Sequence, residues 1–160
     1  MKRKKFFIGL FIFACIGLFI FAYIVLKPNG EQYSPQQNIK APIEIPDSGI
    51  VTIEEANKTD KPIVAMFYVD WCSYCRKFMP VFGKLAKEYK DKYTFAVINC
   101  DMPQYISLVK EFHIMGFPTL FIIDNKVNHK FSLNMAGTVD NSVMKEELDS
   151  YLKVRENYIK

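Results

Sequence analysis

Two cysteines, Cys72 and Cys75, stand two residues apart and form the cysteine pair of this sequence whose spacing suggests chemistry. An apolar run at residues 63–69 leads into the pair and a helical pattern follows, so we expect Cys72 where a strand ends and a helix begins. The first turn of a helix has unpaired N–H groups and a partial positive charge, which stabilise a thiolate. The spacing therefore predicts a redox-active pair in which Cys72 attacks and Cys75, one turn further on, resolves.

The same two cysteines are also compatible with half of a zinc site, which needs a second pair of ligands. His113 and His129 are sixteen residues apart, Cys100 stands alone, and no His-x₃₋₅-His pattern occurs. We therefore expect no metal and no cofactor. Two alternatives stay open: a non-enzymatic module that binds a partner or metal through Cys72 and Cys75, and a copper chaperone that adds nearby Met or His ligands.

The charge of the chain is unevenly distributed along its 160 residues. Four of the 21 basic residues lie at positions 2–5, and the remaining 17 equal the acidic residues in number. The net charge of +4 is therefore an N-terminal feature, and it gives no support for a nucleic-acid partner. The length suits one folded domain. The two other cysteines, Cys15 and Cys100, are expected to be small apolar residues of a membrane helix and of the core.

The N-terminus has the pattern of a membrane anchor. Residues 1–5 form a basic cytoplasmic region, and residues 6–26 carry neither charge nor proline. A helix of ~21 residues spans about 30 Å, the thickness of the hydrocarbon core. The positive-inside rule then predicts a single-pass transmembrane helix, with the domain on the extracytoplasmic (periplasmic or outer) face. A cleaved signal peptide, or a lipoprotein cleavage box at residues 12–15, gives the same destination.

Residues 27–48 are predicted to be a proline-rich linker. Four prolines punctuate polar residues there without visible periodicity. Such a segment stays extended at ~3.1 Å per residue and can hold a domain roughly 60 Å from the membrane. We expect little order in it, and we place the folded domain at residues 49–160.

The first half of that domain has the pattern of a strand–helix–strand unit. A capping box at residues 52–55 begins a short helix. The apolar run 63–69 predicts a central strand that is covered on both faces. Apolar residues at three- and four-residue spacing predict a helix from the cysteines to about Lys90, bent at Pro80. Residues 93–99 form a second strand, joined to the first by a right-handed parallel crossover.

The second half predicts a helix that begins at Pro103, followed by a strand–strand–helix unit. The strand at 119–123 ends in a turn that begins at Asp124, Gly137 ends the next strand, and Asp140 caps the last helix. Three alternating residues of that strand should face inward: Phe131, Leu133 and Met135. Four methionines should fill the core: Met66, Met79, Met115 and Met135. The order predicts an α/β fold with a mixed central sheet flanked by helices.

With these elements in place, residues 50–155 resemble the thioredoxin superfamily. Four features carry the resemblance: Trp71-Cys72-Ser73-Tyr74-Cys75, Pro80 five residues later, Gly116-Phe117-Pro118-Thr119, and Gly137 late in the final hairpin. A Cys-x-x-Cys at a strand–helix junction is far more specific when a Gly-x-Pro-Thr follows about forty residues on. The resemblance implies a thioredoxin fold and a thiol–disulfide oxidoreductase that acts on protein thiols or disulfides. It also implies a membrane or soluble redox partner that recycles the pair.

The resemblance further assigns roles around the cysteine pair. It implies that Pro118 follows a cis peptide bond and that Trp71, Phe117 and Pro118 bind substrate, Phe117 through its backbone. Met115 and Phe117 flank the docking loop and suggest an apolar substrate groove. The expected supporting residues of the active site are Ser73, Tyr74, Pro80, Gly116 and Thr119.

Two positions depart from the family pattern. The buried Asp that usually stands six residues before the first cysteine is Met66 here, and the Lys often found on the neighbouring strand is Val97. The Ser-Tyr dipeptide is similar to that of glutaredoxins and some periplasmic isomerases. Asp70 beside the pair should oppose thiolate formation, whereas Arg76 and Lys77 should favour it. The sequence leaves open whether the pair reduces, oxidises or isomerises its substrates.

Overall fold

The structure of the protein, a computed structural model, describes residues 41–134 and 141–159. The predicted transmembrane helix, residues 6–26, and most of the predicted linker lie outside the described residues. The same is true of Met135, predicted in the last strand, of Gly137, predicted to end it, and of Asp140, predicted to cap the last helix. Within the part of the chain that the structure describes, no helix is long and apolar enough to cross a membrane.

Five strands form one mixed sheet in residues 41–134. They are β1 (Val51–Thr52), β2 (Ile63–Tyr68), β3 (Thr94–Asn99), β4 (Thr119–Asp124) and β5 (His129–Ser132). The strand order is β1-β3-β2-β4-β5. Strand β3 is parallel to β1 and β2, whereas β4 is antiparallel to β2 and β5. The predicted mixed sheet, with a parallel first unit and a final hairpin, is confirmed. The edge strand β1 has only two residues, too few for a sequence pattern to indicate it.

Four α-helices and one 3₁₀ turn accompany the sheet in the described residues. They are α1 (Ile53–Ala56), α2 (Ser73–Glu88), the 3₁₀ turn Pro103–Tyr105, α3 (Ile106–Glu111) and α4 (Asn141–Ile159). The predicted capping box begins α1, since Glu55 N–H donates to Thr52 Oγ1 (3.3 Å) and Thr52 N–H donates to Glu55 Oε2 (3.2 Å). Pro103 begins the 3₁₀ turn, and α2 continues without a break across Pro80.

Strand β2 lies at the centre of the sheet and is buried on both faces. All six of its residues are buried, as the continuous apolar run predicted. Alternate side chains enter two cores: Val64, Met66 and Tyr68 join residues of α2 and α4, whereas Ile63, Ala65 and Phe67 join residues of α1 and of the segment 105–112. Burial of a side chain such as Phe67 contributes about 1.5–3 kcal/mol. This packing fixes the end of β2, from which the cysteine turn leaves the sheet.

The hairpin strand β5 is more exposed than its alternating pattern predicted. Phe131 points to the same face of the sheet as its buried cross-strand neighbour Ile122, as predicted, but it keeps 41% of its surface exposed, whereas Leu133 is buried. Strand β5 is an edge strand that ends at Ser132, and just beyond it the N–H of Leu133 donates to Leu120 O at 2.9 Å. The Phe131 ring packs beside Tyr151 of α4, with ring centroids 6.5 Å apart, at the margin of the core.

The methionines divide between the core and the surface. Met66 and Met79 are buried, as predicted. Met115 is 96% exposed, so its predicted place in the core is wrong. Met115 lies in the loop before β4, and its side chain is in solvent.

Asp124 is the last residue of β4 and begins the predicted turn, since the N–H of Lys126 donates to Asp124 Oδ1 at 3.1 Å. Only 1% of it is exposed, and its carboxylate accepts hydrogen bonds from Arg155 Nε and from Tyr151 Oη (3.3 Å). Burial alone would raise the pKa of Asp124, but the hydrogen bond and positive charge of Arg155 outweigh it and lower that pKa. The pair joins the end of the sheet to the C-terminal helix.

Residues 41–48, which the sequence assigned to the linker, pack against the domain. Ile43 is 6% exposed and belongs to the core beside α2, and its N–H donates to Asp70 Oδ1 at 2.8 Å. A Cβ atom on Gly83 would lie 3.0 Å from two atoms of Pro46, so a glycine permits this close approach. The folded part of the chain therefore includes this segment, because its few apolar residues find partners that are distant in sequence.

Candidate active site

Cys72 is the N-cap residue of α2, and its side chain occupies the place of a capping group. Cys72 Sγ accepts a hydrogen bond from the N–H of Cys75 at 3.1 Å. The N–H of Cys72 donates to Val69 O at 3.1 Å, which closes the turn between β2 and the helix. The predicted strand–helix junction is confirmed. A thiolate at this position accepts an N–H hydrogen bond and lies at the positive end of the helix dipole, and both stabilise its negative charge.

Cys72 and Cys75 form a disulfide, with Cα atoms 5.3 Å apart. Cys75 is completely buried, whereas Cys72 keeps 6% of its surface exposed. An external thiol or disulfide therefore meets Cys72 first, and Cys75 lies beneath it in the core.

The loop before β4 lies against Cys72. The peptide bond between Phe117 and Pro118 is cis, as the resemblance implied. The carbonyl oxygen of Phe117 lies 3.5 Å from Cys72 Sγ, within reach of a thiol that donates a hydrogen bond. Thr119 Oγ1 donates to Gly116 O at 2.7 Å and closes the loop. The structure thus brings the loop that carries the Gly-Phe-Pro-Thr motif to Cys72 through the carbonyl of Phe117.

Trp71 covers one side of the site. Its ring packs edge-on against Phe117, with centroids 6.1 Å apart and planes at 88°, while 59% of the residue stays exposed. Its Nε1–H donates to Asp101 Oδ1 at 3.2 Å. No sequence pattern indicated Asp101, because a turn carboxylate thirty residues away has no spacing or motif that connects it with Trp71.

The predicted supporting residues are not equally close to the cysteines. Ser73 and Tyr74 form the first turn of α2 and are exposed, Tyr74 at 73%. Pro80 lies about two turns beyond Cys72 on a solvent-facing position of the helix. The structure therefore groups Ser73 and Tyr74 with the pair and leaves Pro80 inside α2.

Asp70 makes more contacts than its sequence position suggested. Its carboxylate accepts hydrogen bonds from Ile43 N–H (2.8 Å) and Asn99 Nδ2 (2.9 Å). The guanidinium of Arg76 donates to the carbonyl oxygens of Asp70 (2.8 Å) and Ala41 (2.7 Å). Asp70, in the turn before Cys72, and Arg76, in the first turn of α2, are therefore both held by hydrogen bonds beside the cysteine pair.

The two departures from the family pattern lie beside each other in the sheet. Met66 and Val97 are cross-strand neighbours in the β2–β3 register, and both are buried. An apolar pair therefore occupies the place where the family usually has Asp and Lys.

Cys100 lies at the end of β3 and is half-buried. Burial raises the pKa of its thiol to about 11, which keeps it protonated at neutral pH. Its N–H donates to Tyr68 O at 2.8 Å, so it continues the sheet. Among the described residues, no group of three or more His, Cys, Asp or Glu side chains is arranged to hold a metal ion.

The family model described as Thioredoxin matches residues 52–152, more than half of the chain. The chain belongs to the thioredoxin family. It is 32% identical over 97 residues to the thioredoxin-like protein HCF164, chloroplastic, of Arabidopsis thaliana, which covers 61% of this chain and 36% of that protein. It is 35% identical over 63 residues to protein disulfide-isomerase A5 of Bos taurus, which covers 39% of this chain and 12% of that protein. The chain thus spans about a third of the first relative's length and less of the second.

Solved structures show the same fold. Thioredoxin from Trypanosoma brucei brucei superposes with a TM-score of 0.52 at 18% identity, covering 74% of this chain and 96% of that one. Thioredoxin from Thermus thermophilus gives 0.54 at 15% identity, covering 64% and 85%. The predicted thioredoxin fold is confirmed. The described domain is that of a thioredoxin-like thiol–disulfide oxidoreductase, with its Cys-x-x-Cys pair at Cys72 and Cys75.

Proposed function

We propose that the protein is a membrane-anchored oxidoreductase that exchanges disulfides with protein substrates outside the cytoplasm. The observation that carries the exchange chemistry is the difference between the two sulfurs. Cys72 caps α2, accepts the N–H of Cys75 and keeps 6% of its surface exposed, whereas Cys75 is fully buried. Cys72 is therefore the attacking sulfur and Cys75 the resolving one.

The cycle transfers two electrons and two protons. The Cys72 thiolate attacks one sulfur of a substrate disulfide, the substrate S–S bond breaks, and the released substrate thiolate takes a proton from solvent. Cys75 then loses its proton and attacks Cys72 Sγ, so that the mixed disulfide breaks and the second substrate thiolate leaves and is protonated. The cysteine pair ends oxidised and the substrate reduced; the reverse sequence oxidises a substrate dithiol.

The surface around Cys72 suits an extended protein segment. The Phe117 carbonyl lies beside Cys72 Sγ, and the exposed Trp71 ring stands next to it. An extended chain placed along Phe117 and Pro118 gains backbone hydrogen bonds, and Trp71 and Met115 offer apolar contact to its side chains. The substrates in this proposal are protein thiols or disulfides, and a second redox protein recycles the pair.

The location follows from the N-terminal sequence. The basic residues 1–5 precede the uncharged residues 6–26, which supports a single-pass anchor with a cytoplasmic N-terminus. The domain then works on the extracytoplasmic face. Capture of cytoplasmic proteins by a Cys75→Ser variant in intact cells would contradict this location.

Equilibration of the full chain with a series of glutathione redox buffers tests the exchange activity. The single tryptophan, Trp71, packs on Phe117 beside the pair, so its fluorescence should report the redox state. We expect a reversible two-electron transition between about −270 and −120 mV, nearer the first for a reductant and nearer the second for an oxidant. A pair that stays oxidised below roughly −300 mV behaves as a structural disulfide and would refute the proposal.

A further inference from the structure

All four polar atoms of Asp70, two residues before Cys72, are hydrogen-bonded. Its N–H donates to Asp101 Oδ2 (3.3 Å), and its carbonyl oxygen accepts from Arg76 Nη2 (2.8 Å). Its two carboxylate oxygens accept from Ile43 N–H (2.8 Å) and Asn99 Nδ2 (2.9 Å). The exchange chemistry described above assigns no step to this residue.

The four partners come from different parts of the fold. Asn99 ends β3, Asp101 follows it, Arg76 lies in the first turn of α2, and Ile43 belongs to the segment 41–48. These contacts join the segment 41–48, the end of β3 and the start of α2 at Asp70. The backbone between that point and Cys72 is only one residue long, so a shift of Asp70 moves the sulfur directly.

The same hydrogen-bond network also holds Trp71, the residue after Asp70. Asp101 holds the backbone N–H of Asp70 with one carboxylate oxygen and Trp71 Nε1–H with the other. Asn99 accepts the N–H of Asp101 at 3.0 Å and so fixes that carboxylate. The turn that carries Trp71 and Cys72 is therefore held by the partners of the Asp70 carboxylate and also by Asp101.

We infer that Asp70 is a positioning residue for disulfide exchange, which holds Cys72 at the N-cap of α2 and beside Phe117. This inference rests on the proposed function. Through Asp70, the segment 41–48 becomes part of the active site and not merely a connection to it. The charged groups that face this turn are Asp70 itself, Asp101 and the guanidinium of Arg76.

Charge and position predict opposite effects when Asp70 is replaced. Removal of a negative charge near Cys72 favours its thiolate and should speed its reactions. Loss of the carboxylate anchors frees the turn, so that Cys72 Sγ loses the Cys75 N–H and reacts more slowly. The sign of the change therefore separates the two roles.

The test measures iodoacetamide alkylation of the reduced full chain against pH, with peptide mapping to assign the product to Cys72. We expect Asp70→Ala to slow alkylation at neutral pH about tenfold and to raise the apparent pKa of the reaction, since stabilisation of the thiolate by roughly one pKa unit is lost. Asp70→Asn keeps an acceptor for Ile43 N–H but loses the acceptor for Asn99 Nδ2, so its alkylation should be slowed less than that of Asp70→Ala. The matched control Asp47→Ala removes an exposed carboxylate of the same segment and should change nothing.

An Asp70→Ala variant that alkylates as fast as the wild type, or faster, overturns the positioning role, even where its midpoint of unfolding falls. Equal acceleration of the reaction in Asp70→Ala and Asp70→Asn would indicate an effect of charge alone and overturn the role as well. The reaction with iodoacetamide needs no protein substrate. A chain that alkylates as expected but does not equilibrate with glutathione therefore refutes the proposed function and not the role of Asp70.

Discussion

The variant Cys72→Ser should lose insulin reduction by roughly a thousandfold or more, because the nucleophile of the first step is gone. Cys72 is the sulfur that caps α2 and that meets solvent, and Cys75 is buried beneath it. A serine hydroxyl at the same N-cap can accept the Cys75 N–H, so the fold should persist. Turnover of insulin disulfides by the purified full chain, with a chemical reductant supplied, measures the loss.

Cys100→Ser is the matched control for that substitution. The Cys100 thiol is half-buried, and its pKa is raised to about 11, so it contributes little thiolate at neutral pH. We expect its turnover to stay within about twofold of the wild type, because the change leaves the cysteine pair intact. A loss in Cys100→Ser as large as that in Cys72→Ser would show that the pair is not the sole redox centre.

Arg155→Met should lower the free energy of unfolding by about 3 kcal/mol, because it leaves a buried carboxylate without its ionic partner. Asp124 is 1% exposed and accepts hydrogen bonds from both Arg155 and Tyr151. Denaturant unfolding at neutral pH measures the change. The matched control Lys145→Met breaks the exposed pair between Lys145 and Glu88 (2.7 Å) and should cost at most about 1 kcal/mol.

The same pair predicts how stability depends on pH. The pKa of Asp124 is lowered in the folded state, since Arg155 outweighs the opposing effect of burial. Its contribution is complete above the unfolded pKa of about 3.9 and is lost as the pH falls through the lower folded value. Unfolding measured from pH 6 downward should therefore show a loss of stability at acidic pH that Asp124→Asn reduces. An identical acid dependence in wild type and Asp124→Asn would contradict the assignment.

The parts of the site that the sequence predicted are those set by local patterns. The apolar run before Cys72 and the helical spacing after it are properties of neighbouring residues, and both elements form where they were expected. The Gly116–Thr119 motif was recognised from a family resemblance, and the structure brings it to the cysteines. Each prediction depended on only a few adjacent positions.

The parts that the sequence did not reveal depend on contacts between distant residues. Ile43 and Asp70 are 27 positions apart, and Trp71 and Asp101 are 30 apart. No periodicity marks such pairs, and the prolines around Ile43 indicated a linker. Ile43 is more buried than the sequence indicated, whereas Phe131 is more exposed. Alternation indicates a strand but not whether the edge of the sheet is covered.

Trapping with Cys75→Ser in intact cells tests the central claim most directly. Without the resolving thiol of Cys75, Cys72 should stay bound to its substrates in mixed disulfides. These complexes should persist until a reductant is added, which releases the substrates. The matched control Cys72→Ser with Cys75→Ser should capture none. We expect complexes that map to Cys72 and contain extracytoplasmic proteins. Equal capture by Cys72→Ser alone, or no capture by either variant, would contradict the assignment of Cys72 as the attacking sulfur.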